Sequence, residues 1–180
     1  MNKLWLVLLL LIAGCKSKEQ NFLDYINDPK NKITQRIKVG ETEATLKLLT
    51  DEYRHFRKRE YADEIPDSTN GYYYFNMKLE KTTGDKPGKE KILYLDFDMQ
   101  HDFVMLINGD SISPVICQKI ENGKAGSYEY MMAFEKRSVK KEDEDFTVFY
   151  HDKIFGMGTI AFVYNQDDIK KIPVLKTKTD

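Results

Sequence analysis

The stretch "ILYLDFDMQHDFVMLINGD", Ile92–Asp110, decides the fold. In its first eight residues Leu93, Leu95, Phe97 and Met99 fall at every second position, with Tyr94, Asp96 and Asp98 between them. Successive side chains of an extended strand point to opposite faces, so this spacing predicts a strand with one apolar and one polar face. Phe103 to Ile107, "FVMLI", is almost continuously apolar, as expected of a strand covered on both sides. Asn108-Gly109 follows, a pair that readily takes the positive φ angles of a tight hairpin. The run from Ser113 to Ile120 is then expected to return antiparallel beside it.

The same period extends in both directions. "YYYFNMKLE" places Tyr73, Phe75, Met77 and Leu79 on one side, and "SYEYMMAFE" does so with Tyr128, Tyr130, Met132 and Phe134. "FTVFYH" and "TIAFVYN" add two more strands around a Gly156-Met157-Gly158 loop, and "ATLKLLT" reads as another ahead of them. Short strands with turn signals every eight to twelve residues or so are the spacing of an antiparallel sandwich, not of βαβ units. The expected class is therefore mainly β, an antiparallel β-sandwich, with a β-barrel as the alternative. At the level of architecture it resembles the immunoglobulin-like sandwiches, although the Cys, Trp and Cys signature of antibody domains is absent. One short helix is expected near residues 50–61, in "TDEYRHFRKREYADEIP". Thr50 or Asp51 caps its first turn, Leu49, Tyr53 and Phe56 line one stripe, and Pro66 ends it.

The amino-terminal segment has a different character. Leu4 to Ala13 is an apolar run of ten residues, and a helix rising about 1.5 Å per residue covers only about half of a ~30 Å hydrocarbon layer over that length. A basic start, a short apolar region and small residues form the layout of an export signal. Ile12-Ala13-Gly14-Cys15 resembles the lipobox of bacterial lipoproteins, and the Tyr-, Lys- and Asn-rich composition is similar to that of Bacteroidetes proteins. The resemblance implies cleavage before Cys15 and acylation of its sulfur, making Cys15 the lipidation site and the membrane a partner. Lys16 stands where an Asp would favour inner-membrane retention, so the implied location is the outer membrane, facing the periplasm; surface display is the alternative. The expected organisation is a cleaved signal peptide over residues 1–14, a lipidated tether over 15–32, and one β-rich domain over 33–180.

With 28 basic and 29 acidic residues and a pI near 6.3, the chain lacks the basic excess of a nucleic-acid binder, and no nucleic-acid partner is expected. If Cys15 is acylated, Cys117 is the one remaining thiol and no internal disulfide can form. In "SPVICQKI", Cys117 reads as a small buried hydrophobe.

Two clusters carry chemistry-bearing side chains. "DFDMQHD" gathers Asp96, Asp98, His101 and Asp102, hard oxygens and an imidazole of the kind that holds a divalent cation if the chain turns back on itself. "RHFRKR" contributes Arg54, Arg57, Lys58 and Arg59, a patch suited to an anionic partner. There is no G-x-S-x-G elbow, H-E-x-x-H, C-x-x-C or phosphate loop, and no cofactor motif. The sequence therefore reads as a lipid-anchored envelope protein that works as a binding or accessory subunit, with another envelope protein as its partner. Sheet edges or the loops at one end of the sandwich would carry that contact. Two rival readings are a metal-dependent enzyme at Asp96, Asp98 and His101, and a small-ligand carrier whose barrel cavity is lined by Phe97, Met132 and Phe134.

Overall fold

A computed structural model describes residues 17–54, 71–82, 87–136 and 144–175. The first helix, α1, spans Lys18–Asn27 and begins on a Ser17 cap. Strands β1 (Thr34–Val39), β2 (Thr42–Leu49) and β3 (Tyr72–Lys81) follow. Next come helix α2 (Lys89–Phe97), a 3-10 turn at Met99–Asp102, and strands β4 (Phe103–Ile107), β5 (Asp110–Ile112) and β6 (Ile116–Ile120). The chain continues through β7 (Ser127–Glu135), β8 (Phe146–His151), β9 (Thr159–Tyr164) and α3 (Gln166–Lys170).

The strands form two antiparallel sheets, one ordered β1-β2-β3-β7-β6 and the other β5-β4-β8-β9. They face each other across an aromatic core centred on Phe75. Its ring meets Phe134 of its own sheet edge-on at 5.7 Å, and Phe146 and Tyr164 of the facing sheet at 6.1 and 5.5 Å. Such offset and edge contacts suit the ring quadrupoles. Tyr164 also donates its hydroxyl across the sandwich to the Leu46 carbonyl at 3.2 Å. The expected sandwich is what forms, and among the described residues the two sheets do not close into a barrel. Met132 and Phe134 are packed in the core while Phe97 faces solvent, so the three do not line a common cavity, as the carrier reading required.

Apart from "ILYLDFDM", the period-two runs occupy the strands they predicted. Ala44, Leu46 and Leu48 of β2, Phe75, Met77 and Leu79 of β3, and Tyr130, Met132 and Phe134 of β7 all point inward. Thr50 opens the expected helix, since its hydroxyl accepts from the Tyr53 N–H at 3.2 Å and its carbonyl from the Arg54 N–H at 2.9 Å. Residues 51–54 are helical, and the rest of that expected helix lies outside the described residues.

Four expectations are corrected. "ILYLDFDM" is not a strand: Lys89–Phe97 is the helix α2. β4 is not covered on both faces, because Phe103 and Met105 are buried while Leu106 is exposed. The Asn108-Gly109 turn does form, with φ of 53° and 83°, but its return strand is the short β5. Ile116–Ile120 leaves that hairpin and joins the other sheet beside β7. Finally, the tether does not extend to residue 32. Helix α1 buries Phe22 and Ile26 completely, and Ile33 joins them in the core, so the folded body already includes Lys18.

Candidate functional site

The residues singled out by the sequence around Asp96 lie where α2 and its 3-10 turn cover one end of the second sheet. A 100° step per helical residue sets residues two apart on nearly opposite faces and residues four apart on one face. Leu95 and Met99 therefore turn inward together and are buried, while Leu93 and Phe97 turn outward together. The helix is held by its last turn. Tyr130, fully inside the sandwich, donates its hydroxyl to the Leu95 carbonyl at 2.9 Å, supplying a partner to one of the carbonyls that a helix C-terminus leaves without an intrahelical bond.

Beneath α2 lies a buried polar centre. Asp102 has no solvent exposure, and its Oδ1 accepts from the Tyr94 hydroxyl and from Lys153 Nζ, the latter at 2.8 Å. Lys153 also donates to the Tyr94 hydroxyl oxygen at 2.9 Å, closing a triangle. No described residue donates to the buried Asp102 Oδ2. The Lys153 side chain reaches in from a largely exposed position, and its ammonium meets the carboxylate. Its pKa is pushed up by the bond to Asp102 first and by Tyr94 second.

The loop that presents Lys153 is itself built around a carboxylate. Asp152 accepts from the backbone N–H groups of Ile154, Phe155 and Met157 and from the Tyr150 hydroxyl, at 2.6 to 3.0 Å. Gly156 and Gly158 take positive φ of 78° and 69° within the same loop, a conformation that costs glycine little. Sequence reasoning saw the glycines and missed the role of Asp152; an Asp followed within six residues by two glycines was the available signal.

Chemically this centre is a lock. Burial raises the Tyr94 hydroxyl, and its bond to Asp102 raises it further. Burial pushes the Cys117 thiol up to about 12, with the Asp102 charge adding to the effect. Both are moved away from the ionised form that a nucleophile needs.

The proposed metal ligands are not brought together. Asp96 pairs with Lys119 of β6 at 2.6 Å, Asp98 is exposed at the C-cap of α2, and His101 is exposed on the 3-10 turn. Asp102 alone points into the protein. Among the described residues no three His, Cys, Asp or Glu side chains gather as a metal site would require. Helical geometry is the reason, because it spreads around the axis the carboxylates that a strand would have aligned.

The basic patch is divided as well. Arg54 is buried, with its guanidinium 4.1 Å from the centre of the Tyr74 ring and 3.6 Å from Asp51. Arg57, Lys58 and Arg59 lie outside the described residues, as does Cys15.

What α2 leaves on the surface is apolar. Ile92, Leu93 and Phe97 are 41%, 57% and 72% exposed, and Leu93 and Phe97 stand one helical turn apart on the same face. A separate polar cavity of about 650 Å³ lies at the opposite end of the second sheet, lined by Asn108, Glu144, Asp145, Asp168 and their neighbours.

No family model matches this chain, and no curated protein does. Among solved structures it is similar to a DUF4426 family protein from Pseudomonas aeruginosa, at 9% identity and a TM-score of 0.39, over 74% of this chain and 92% of that one. It is also similar to a protein of unknown function from Burkholderia pseudomallei, at 10% identity and a TM-score of 0.45, over 87% and 89%.

Proposed function

We propose that the chain is a lipid-anchored protein of the cell envelope, held at the outer membrane and facing the periplasm, whose sandwich binds another envelope protein as an accessory subunit. The binding half of this reading is carried by the outer face of α2. A phenylalanine and a leucine turned to solvent one helical turn apart, with Ile92 beside them, form the kind of surface that a partner covers. The anchoring half is supported by Ile12-Ala13-Gly14-Cys15 at the end of a short apolar leader.

The two halves are tested separately. A photocrosslinking side chain placed at Leu93 in intact cells is expected to give a discrete protein adduct that the same group at Lys38, on exposed β1, does not give. The absence of any adduct specific to Leu93 overturns the assignment of the binding face. Cys15→Ser is expected to move the protein from the membrane to the soluble fraction and to abolish fatty-acid labelling, and unchanged retention overturns the anchor.

A further inference from the structure

With the lipid on Cys15, the length of chain between anchor and folded body sets how the body sits on the membrane. Ser17 is the N-cap of α1: its hydroxyl accepts from the Gln20 N–H at 3.1 Å and its carbonyl from the Asn21 N–H at 3.0 Å. The helix is fastened along its length. Phe22 and Ile26 are fully buried, Tyr25 donates to the Asp168 carbonyl at 2.9 Å, and Asn31 donates to the Tyr25 carbonyl at 2.9 Å. Swinging α1 free as a tether would expose both buried side chains and break these bonds.

That leaves Lys16 alone between the acylated residue and the capped helix. Two Cα steps reach at most about 7 Å, close to the ~6 Å thickness of a headgroup layer on one side of the bilayer. The first turn of α1 offers Lys18, Glu19, Gln20 and Asn21, all exposed and all polar, a surface that suits headgroups and not acyl chains.

We propose that the body is docked flush on the bilayer surface through the first turn of α1, in one orientation, with α2 held at the far end. This rests on the lipidation reading and adds the contact face. The orientation follows from the second sheet. Tyr25, in the second half of α1, meets α3, which follows the end of β9, whereas the 3-10 turn after α2 leads into the start of β4, which pairs with Tyr150 near the end of β8, opposite the start of β9. The two lie a strand length apart, about 20 Å for six residues. The apolar face of α2 is thereby carried clear of the headgroups, and a partner reaches it beyond the membrane surface.

The test uses the acylated full-length protein in phosphatidylcholine and phosphatidylethanolamine vesicles containing a headgroup-labelled quencher lipid. A fluorophore is placed at Asn21→Cys or at Lys38→Cys, in a Cys117→Ala background. Most of the emission is expected to be lost at position 21 and little at position 38. A Gly/Ser spacer of ~12 residues between Lys16 and Ser17, with a reach of ~20 Å, should abolish the difference. Mass spectrometry of the amino-terminal peptide records acylation in each sample. An acylated protein quenched equally at both positions without the spacer overturns the docking alone, and an unacylated Cys15 overturns the anchor and the docking with it.

Discussion

Asp102 shows what a single charged residue becomes when a fold closes over it. A carboxylate removed from water needs an opposite charge and donors close by, and Lys153 and Tyr94 supply them from the 152–158 loop and from α2. Asp102→Ala is expected to lower stability by about 2 kcal/mol, the scale of losing bonds to a charged group, and Asp102→Asn by less because one acceptor oxygen survives. Lys153→Met is the sharper variant. It alters a side chain that is more than half exposed, yet it leaves a buried carboxylate without its cation, so the urea midpoint should fall, and Lys153→Arg should restore part of it. An unchanged midpoint for Lys153→Met would show that charge does not hold this centre. The sequence listed Asp102 among acidic neighbours and suggested a metal. Which of those four residues faces inward depends on the helix they sit on and on a lysine fifty-one positions away, which no local pattern records. Arg54 teaches the same lesson with the opposite sign: it reads as part of an outward patch, and the structure lays it on Tyr74.

At the scale of the element, α2 shows how an alternating pattern misleads. Leu93, Leu95, Phe97 and Met99 satisfy a period of two, but two pairs spaced by four residues satisfy a helix equally well, provided that one pair is left outside. The surrounding residues favour that outcome. Lys89, Glu90, Lys91 and the leucines are good helix formers, and Pro87-Gly88 interrupts the chain just before them. The Tyr130 hydroxyl and the burial of Leu95 then hold the helix in place. The two faces should respond oppositely to substitution. Leu95→Ala is expected to cost about 2–4 kcal/mol as a core truncation, whereas Leu93→Gln or Phe97→Gln should stay within about 0.5 kcal/mol, and Phe97→Gln should weaken the crosslink formed from position 93. Denaturant unfolding of the three variants checks both statements. Equal losses for Leu95→Ala and Leu93→Gln would mean that the outward face is packed against the protein itself. The strands were more legible than this helix because β2 and β3 bury one face each, which leaves a clean alternation in the chain.

Across the whole molecule the core holds buried tyrosines at Tyr130, Tyr150 and Tyr164. Burial raises the hydroxyl pKa of Tyr130, Tyr150 and Tyr164 well above the ordinary value near 10, with nearby acidic groups adding to the effect for the first two. For an acid whose pKa is raised on folding, the stabilising contribution is complete below the unfolded value and is lost as pH rises above it, because the unfolded chain then releases protons that the folded chain keeps. Stability is therefore expected to fall in alkali from near pH 10, and the unfolding that follows to bring a step in tyrosinate absorbance that coincides with the loss of the circular dichroism signal. Tyrosine ionisation running to completion while that signal persists would contradict the burial of these hydroxyls. By itself the sequence determined that this is a mostly antiparallel β body, since period-two apolar runs separated by turn residues are a local property of the chain. It also determined the Asn108-Gly109 turn and the Thr50 cap, which depend only on neighbouring residues. Only the tertiary structure decided that Ile116–Ile120 pairs with β7 instead of β4, that "ILYLDFDM" is a helix, that residues 18–27 belong to the body, and that Asp102 faces Lys153. Each of those outcomes depends on what a segment packs against, and the free energy that separates the alternatives resides in contacts between residues far apart in the chain.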